Sequence, residues 1–113
     1  MADFEFRPAV AAVLALGPLP SEDDATEEQL EELDRRLVAV ERPVTDREAL
    51  TLATLFNADD NCYGLAWSLL HLIETAPGAL TNPYPAGSGK EWLERLIARQ
   101  QVSLELQAGE SPP

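Results

Sequence analysis

Apolar residues recur along this chain at intervals of three and four within segments separated by proline, glycine or clustered polar residues, and no segment alternates with period two. The breaks fall at Gly17-Pro18-Leu19-Pro20, at Pro43, across the polar run Asn57 to Asn61, and from Pro77 to Gly87. Five helices are predicted between them. The first runs from about Phe4 to Leu16, with Val10, Val13, Leu14 and Leu16 toward one side and Pro8 tolerated in the first turn. The second runs from about Ala25 to Glu41. Thr26 and Gln29 have the form of a capping box there, and Leu30, Leu33 and Leu37 make an apolar stripe with Val40 at its margin. Asp24, Glu28, Glu31, Glu32 and Arg35 fall on the opposite side.

Thr45-Asp46-Arg47-Glu48 repeats the capping pattern and opens a third helix ending near Asn57. The fourth, from about Asp60 to Thr75, is apolar around most of its circumference through Tyr63, Leu65, Ala66, Trp67, Leu69, Leu70, Leu72 and Ile73. A helix without a broad polar face belongs at the centre of a bundle. Ala76 to Gly87 reads as a long loop pinned by Tyr84, and the fifth helix starts at Ser88 with Trp92, Leu93, Leu96, Ile97 and Leu104 inward. The fold class is all-α: one domain over residues 1–106, an irregular bundle of about five helices around the fourth, with a frayed tail at 107–113.

A chain of 113 residues with 45% hydrophobic content can bury one modest core. Charge changes the picture more. Twenty acidic against eight basic residues give a formal charge of −12, which repels nucleic-acid phosphates and anionic membranes, so neither is expected as a direct partner. Eight carboxylates with no positive residue among them lie between Glu22 and Asp34, and removing them would change the charge to −4. The chain is thus a moderately acidic bundle with one intensely acidic helix.

The apolar stretch Ala9 to Leu16 follows Asp3 and Glu5, where a secretory signal would carry positive charge, and no run approaches the ~18 apolar residues of a membrane span. The lone Cys62 forms no internal disulfide and fits a reducing compartment, so a cytoplasmic location is expected.

Candidate chemistry is sparse. Cys62 and His71 lie nine residues apart on the expected fourth helix, which puts them on opposite faces and leaves His71 as a core or helix-edge residue. Ser68, three residues before His71, lacks an oxyanion site and an orienting third group. Gly87-Ser88-Gly89-Lys90 resembles the end of a phosphate-binding loop, but Tyr84 stands where the first glycine belongs and Glu91 where a serine or threonine would hold magnesium. Ser88 is more simply a helix cap. Asn57-Ala58-Asp59-Asp60-Asn61 offers oxygen ligands without the EF-hand spacing, and reads as a cap for the fourth helix, with Gly64 admitting another backbone. No catalytic residue, metal site or cofactor is expected.

The acidic block carries the functional expectation: Asp23, Asp24, Glu27, Glu28, Glu31, Glu32 and Asp34 as a docking surface for a basic protein partner. Pairs Glu31-Arg35 and Glu32-Arg36 would account for part of the block as a solvated helix face. Three alternatives stand beside it. One is a small enzyme or ligand-binding domain using Asp59, Asp60, Tyr63 and Tyr84 with His71 nearby. The others are a nucleic-acid mimic and a homodimeric adaptor.

The run Asp59-Asp60-Asn61-Cys62-Tyr63-Gly64-Leu65-Ala66-Trp67, continuing through Leu69-Leu70-His71-Leu72-Ile73-Glu74-Thr75-Ala76-Pro77-Gly78, resembles a segment of small helical actinobacterial proteins. In size, acidity and helical content the whole chain is similar to immunity proteins of bacterial toxin systems. That resemblance implies a role in binding and occluding a cognate toxin, frequently a cationic nuclease, and assigns no role to individual residues.

Overall fold

The structure, a computed structural model, describes residues 6–57, 60, 62–87 and 89–109. Within them lie five α-helices and no strand: α1 (Pro8–Leu14), α2 (Glu27–Val38), α3 (Asp46–Leu52), α4 (Leu65–Ile73) and α5 (Glu91–Gly109). Single short turns sit at Ala53–Leu55 and Cys62–Gly64.

Helix starts follow local chemistry. Pro8 occupies the first position of α1 rather than its fourth or fifth, because a proline ring forces the preceding Arg7 into extended backbone (ψ 151°) and closes off any earlier start. The helix is therefore shorter than the pattern predicts, and Leu16 lies beyond its end, 38% exposed. Both capping boxes form. The Thr26 side chain accepts from Gln29 N–H at 3.1 Å while the Thr26 N–H donates to Gln29 Oε1 at 2.9 Å. At α3 the Thr45 hydroxyl accepts from Glu48 N–H at 3.0 Å and Thr45 N–H donates to Glu48 Oε1 at 2.8 Å.

The core gathers Val10 and Val13 of α1, Leu33 and Leu37 of α2, Ala49 and Leu52 of α3, and Leu65, Ala66, Leu69, Leu70, Leu72 and Ile73 of α4. Trp92, Leu93 and Leu96 of α5 close it, and α4 packs against α2, α3 and α5. The central position expected of the fourth helix is thus observed. Among the described residues no buried side-chain nitrogen or oxygen lacks a hydrogen-bond partner.

The stretch from Ala76 onward is tied down rather than loose. Gly78 N–H donates to Asp46 Oδ1 at 2.6 Å, an approach so close that a Cβ on Gly78 would stand 2.8 Å from that oxygen. Gln100 of α5 donates to the carbonyls of Ala79 and Asn82 at 2.8 and 3.1 Å, and Tyr84 is buried as expected.

Two expectations for α5 need correction. Leu104, predicted inward, is 42% exposed, because the helix outruns the body it packs on and leaves Val102 and Leu106 in solvent as well. The backbone helix also continues to Gly109, past the predicted end at residue 106. The expected cap at Ser88 and the start at Phe4 lie outside the described residues, as do Ala58, Asp59 and Asn61 of the run read as a cap for the fourth helix.

Candidate functional site

The predicted fourth helix breaks where its acidic N-terminal turn was expected. Cys62, Tyr63 and Gly64 take φ of 49°, 54° and 91°, three successive left-handed residues, and α4 begins only at Leu65. Two of the three are not glycine, so the turn costs conformational energy that its surroundings must offset.

Two carboxylates supply the offset. Asp60 accepts from Cys62 N–H through Oδ1 and from Glu22 N–H through Oδ2, both at 3.0 Å. Glu22 returns the tie, its Oε2 accepting from Tyr63 N–H at 3.0 Å. Behind them Trp92 Nε1–H donates to Asp60 O at 2.8 Å. Asp60 is therefore a clamp between the α1–α2 connection, the left-handed turn and α5, not a cap of α4, whose N-cap is Gly64 with no side-chain bond. Gly64 itself serves a conformational need. A Cβ there would meet nothing within 4 Å, so close backbone approach is not the reason for glycine; the positive φ is. Gly64→Ala should cost about 1–2 kcal/mol with Gly64→Asn costing less, read from urea unfolding, since asparagine tolerates this region better.

The clamp turns Tyr63 outward. It is 65% exposed, with its hydroxyl 3.4 Å from Glu22 O, and so stands beside the acidic turn Glu22 to Asp24. Two candidate groups separated by some forty residues thereby meet: the acidic block and the Asp60–Tyr63 segment. Tyr84 and His71 do not join them. Tyr84 is buried near Asp46 and Asn82; burial raises its phenol pKa, the Asn82 contact opposes this, and the charges of Asp46 and Glu74 add to the rise. His71 is exposed in the last turn of α4, 5.8 Å from the Trp67 ring, where the expected helix-edge placement is realised. Asp59 lies outside the described residues.

Cys62 sits within the break rather than on the helix with His71, so the opposite-face geometry drawn from one continuous helix does not apply. The thiol is 1% exposed. Burial pushes its pKa up, and the nearby charges of Asp60 and Glu22 push it further, which disfavours the nucleophilic thiolate. No group of three or more His, Cys, Asp or Glu among the described residues could hold a metal.

Along the acidic block, Asp23, Asp24, Glu27, Glu28, Glu31 and Asp34 are exposed. Glu32 behaves differently, pairing with both Arg35 and Arg36, while Arg36 also donates to Ala12 O at 2.7 Å and ties α2 to α1. The predicted Glu31-Arg35 pair is replaced by Glu32-Arg35 one turn-position over. Sequence reasoning assigned Glu22 no separate role, although its place at the head of the block was visible. It also missed the tie between Arg7 and Glu48, which spans 41 residues and has no local signature beyond the capping box.

Comparison of the chain with models of known protein families, with curated proteins and with solved structures finds no match.

Proposed function

We propose that this protein is a non-catalytic binding protein whose acidic surface, formed by the turn at Glu22 to Asp24 and the outer face of α2, docks on a basic surface of a protein partner. The reading rests on one observation. Six carboxylates, at Asp23, Asp24, Glu27, Glu28, Glu31 and Asp34, are exposed along one continuous stretch and make no ion pair among the described residues. Stability does not call for them. Helix-dipole and i,i+4 terms are worth a few tenths of a kcal/mol each, and clustered like charges repel.

Such a surface accelerates encounter with a cationic partner and disfavours acidic competitors. Tyr63, whose backbone N–H is held at its edge by Glu22, adds an aromatic side chain with only two torsions to order on binding. The most concrete form of the proposal is an immunity-type inhibitor that covers the functional surface of a toxin or effector by steric and electrostatic occlusion. The similarity in size, acidity and helical content to immunity proteins supports that form.

The test is affinity capture from the cell that makes the protein, at low and moderate salt, alongside a variant with Glu27, Glu28 and Glu31 changed to lysine. Glu32 is spared because it braces α2. The expected result is a basic protein retained by the wild type and bound at least ~10-fold more weakly by the variant, with its helical circular dichroism unchanged. Recovery of no basic partner at either salt concentration would overturn the proposal.

A further inference from the structure

Between the α1–α2 connection and the first turns of α2 lies an open groove of about 380 Å³. Leu16, Pro18 and Pro20 of the connection make one wall apolar; Glu28, Glu32 and Leu33 come from α2 on the other. The apolar wall is braced from within. Leu19, between the two prolines, is buried at 3% exposure, and its N–H donates to Leu55 O at 2.9 Å. Proline fixes φ on either side of it, so the wall is preformed and binding need not order it.

The walls together specify an occupant. An apolar side chain lying along Leu16 and the prolines would leave water, as hydrophobic burial favours. Glu32 is already neutralised by Arg35 and Arg36, which leaves Glu28 as the uncompensated charge of the groove, next to exposed Glu27 and Glu31 on the same helix. These repel an acidic ligand and attract a basic one.

We propose that the groove takes one apolar side chain from a basic segment of the protein partner, with flanking lysine or arginine side chains meeting Glu28 and its neighbours. The inference rests on the binding reading of the acidic surface and adds its anchor: the rim charges speed encounter, and the buried apolar side chain sets how long the complex lasts.

Two fluorescein-labelled peptides of equal charge test it by anisotropy, one of lysine, leucine and alanine and one with serine in place of leucine. The leucine peptide should bind roughly 10-fold more tightly. Leu16→Ser, at a half-exposed position whose change leaves the core intact, should bring the two peptides to within about threefold of each other. The double variant Val102→Ser, Leu106→Ser on the far end of α5 should keep the full preference. Equal binding of both peptides, or a leucine preference that survives Leu16→Ser, overturns the groove. If that binding is still salt-sensitive and lost on changing Glu27, Glu28 and Glu31 to lysine, the acidic-surface reading stands without it. If neither peptide binds, both fall.

Discussion

Trp92→Ala should remove about 3–5 kcal/mol of folding free energy, more than any other single substitution considered for this chain. Trp92 is 3% exposed, stacked 6.3 Å from Phe56 and edge-on to Trp67 at 4.8 Å, with the Arg95 guanidinium 4.4 Å from its ring centre. Truncation opens a cavity at the joint between α4 and α5. It also strips Asp60 O of its donor, so the clamp on the left-handed turn loosens with the core. Trp92→Phe separates the two effects. It keeps most of the apolar volume and loses the hydrogen bond, and should cost about 1–2 kcal/mol. Equilibrium unfolding in urea measures both; a phenylalanine variant as unstable as the alanine one would show that the bond to Asp60 outweighs packing.

Arg7→Met should cost about 2–3 kcal/mol at neutral pH and much less in acid. Glu48 is 1% exposed, and its carboxylate accepts from Arg7 Nη2 at 3.0 Å, Nε at 3.1 Å and the Arg7 N–H at 3.3 Å, besides the Thr45 N–H at 2.8 Å. Burial pushes this carboxyl up, but the Arg7 hydrogen bonds, the Thr45 N–H and the arginine charge together hold it below the ordinary value of 4.5. A depressed folded-state pKa means that the ionised pair stabilises the fold above that ordinary value, and that the stabilisation fades as pH falls through the lowered one. Without Arg7, burial dominates and the carboxyl pKa rises. The cost sits below the ~3–5 kcal/mol typical of a broken buried pair because the Arg7 side chain is 40% exposed and water can reach the vacated place. Unfolding compared at pH 7 and pH 3 checks this, and an equal loss at both would exclude the ionic origin.

Helix identity was legible wherever a cap and a period of three to four coincided. Thr26 with Gln29 and Thr45 with Glu48 announced two starts that the structure reproduces to the atom pair. The left-handed turn was not legible. Its residues, Cys62, Tyr63 and Gly64, continue the apolar pattern of α4, and what breaks the helix is a pair of carboxylates, one of them about forty positions away. Local periodicity carries no trace of such a bond. The same limit hid the partner of Glu48: a capping box explains one of its oxygens, whereas the other bonds come from Arg7, 41 positions earlier and just before α1. The acidic block was visible as composition, but which carboxylates are spoken for internally, Glu22 and Glu32, emerged only with the packing.

Asp60 joins three distant parts of the chain, bonding to Glu22 across 38 positions and to Trp92 across 32. Contacts of that span reward the chain only after most of it has been ordered, because the entropy of closing the intervening loops comes first. The segment around α2, released as a peptide, would keep its charge and its capping residues, but at twelve residues the helix is marginal alone. The orientation of Tyr63 and the bracing of Leu19 would be absent. Attraction to cations belongs to the acidic segment by itself, whereas in the proposed binding role discrimination among cationic partners would depend on the assembled shape, so unfolding would leave the charge and remove the shape.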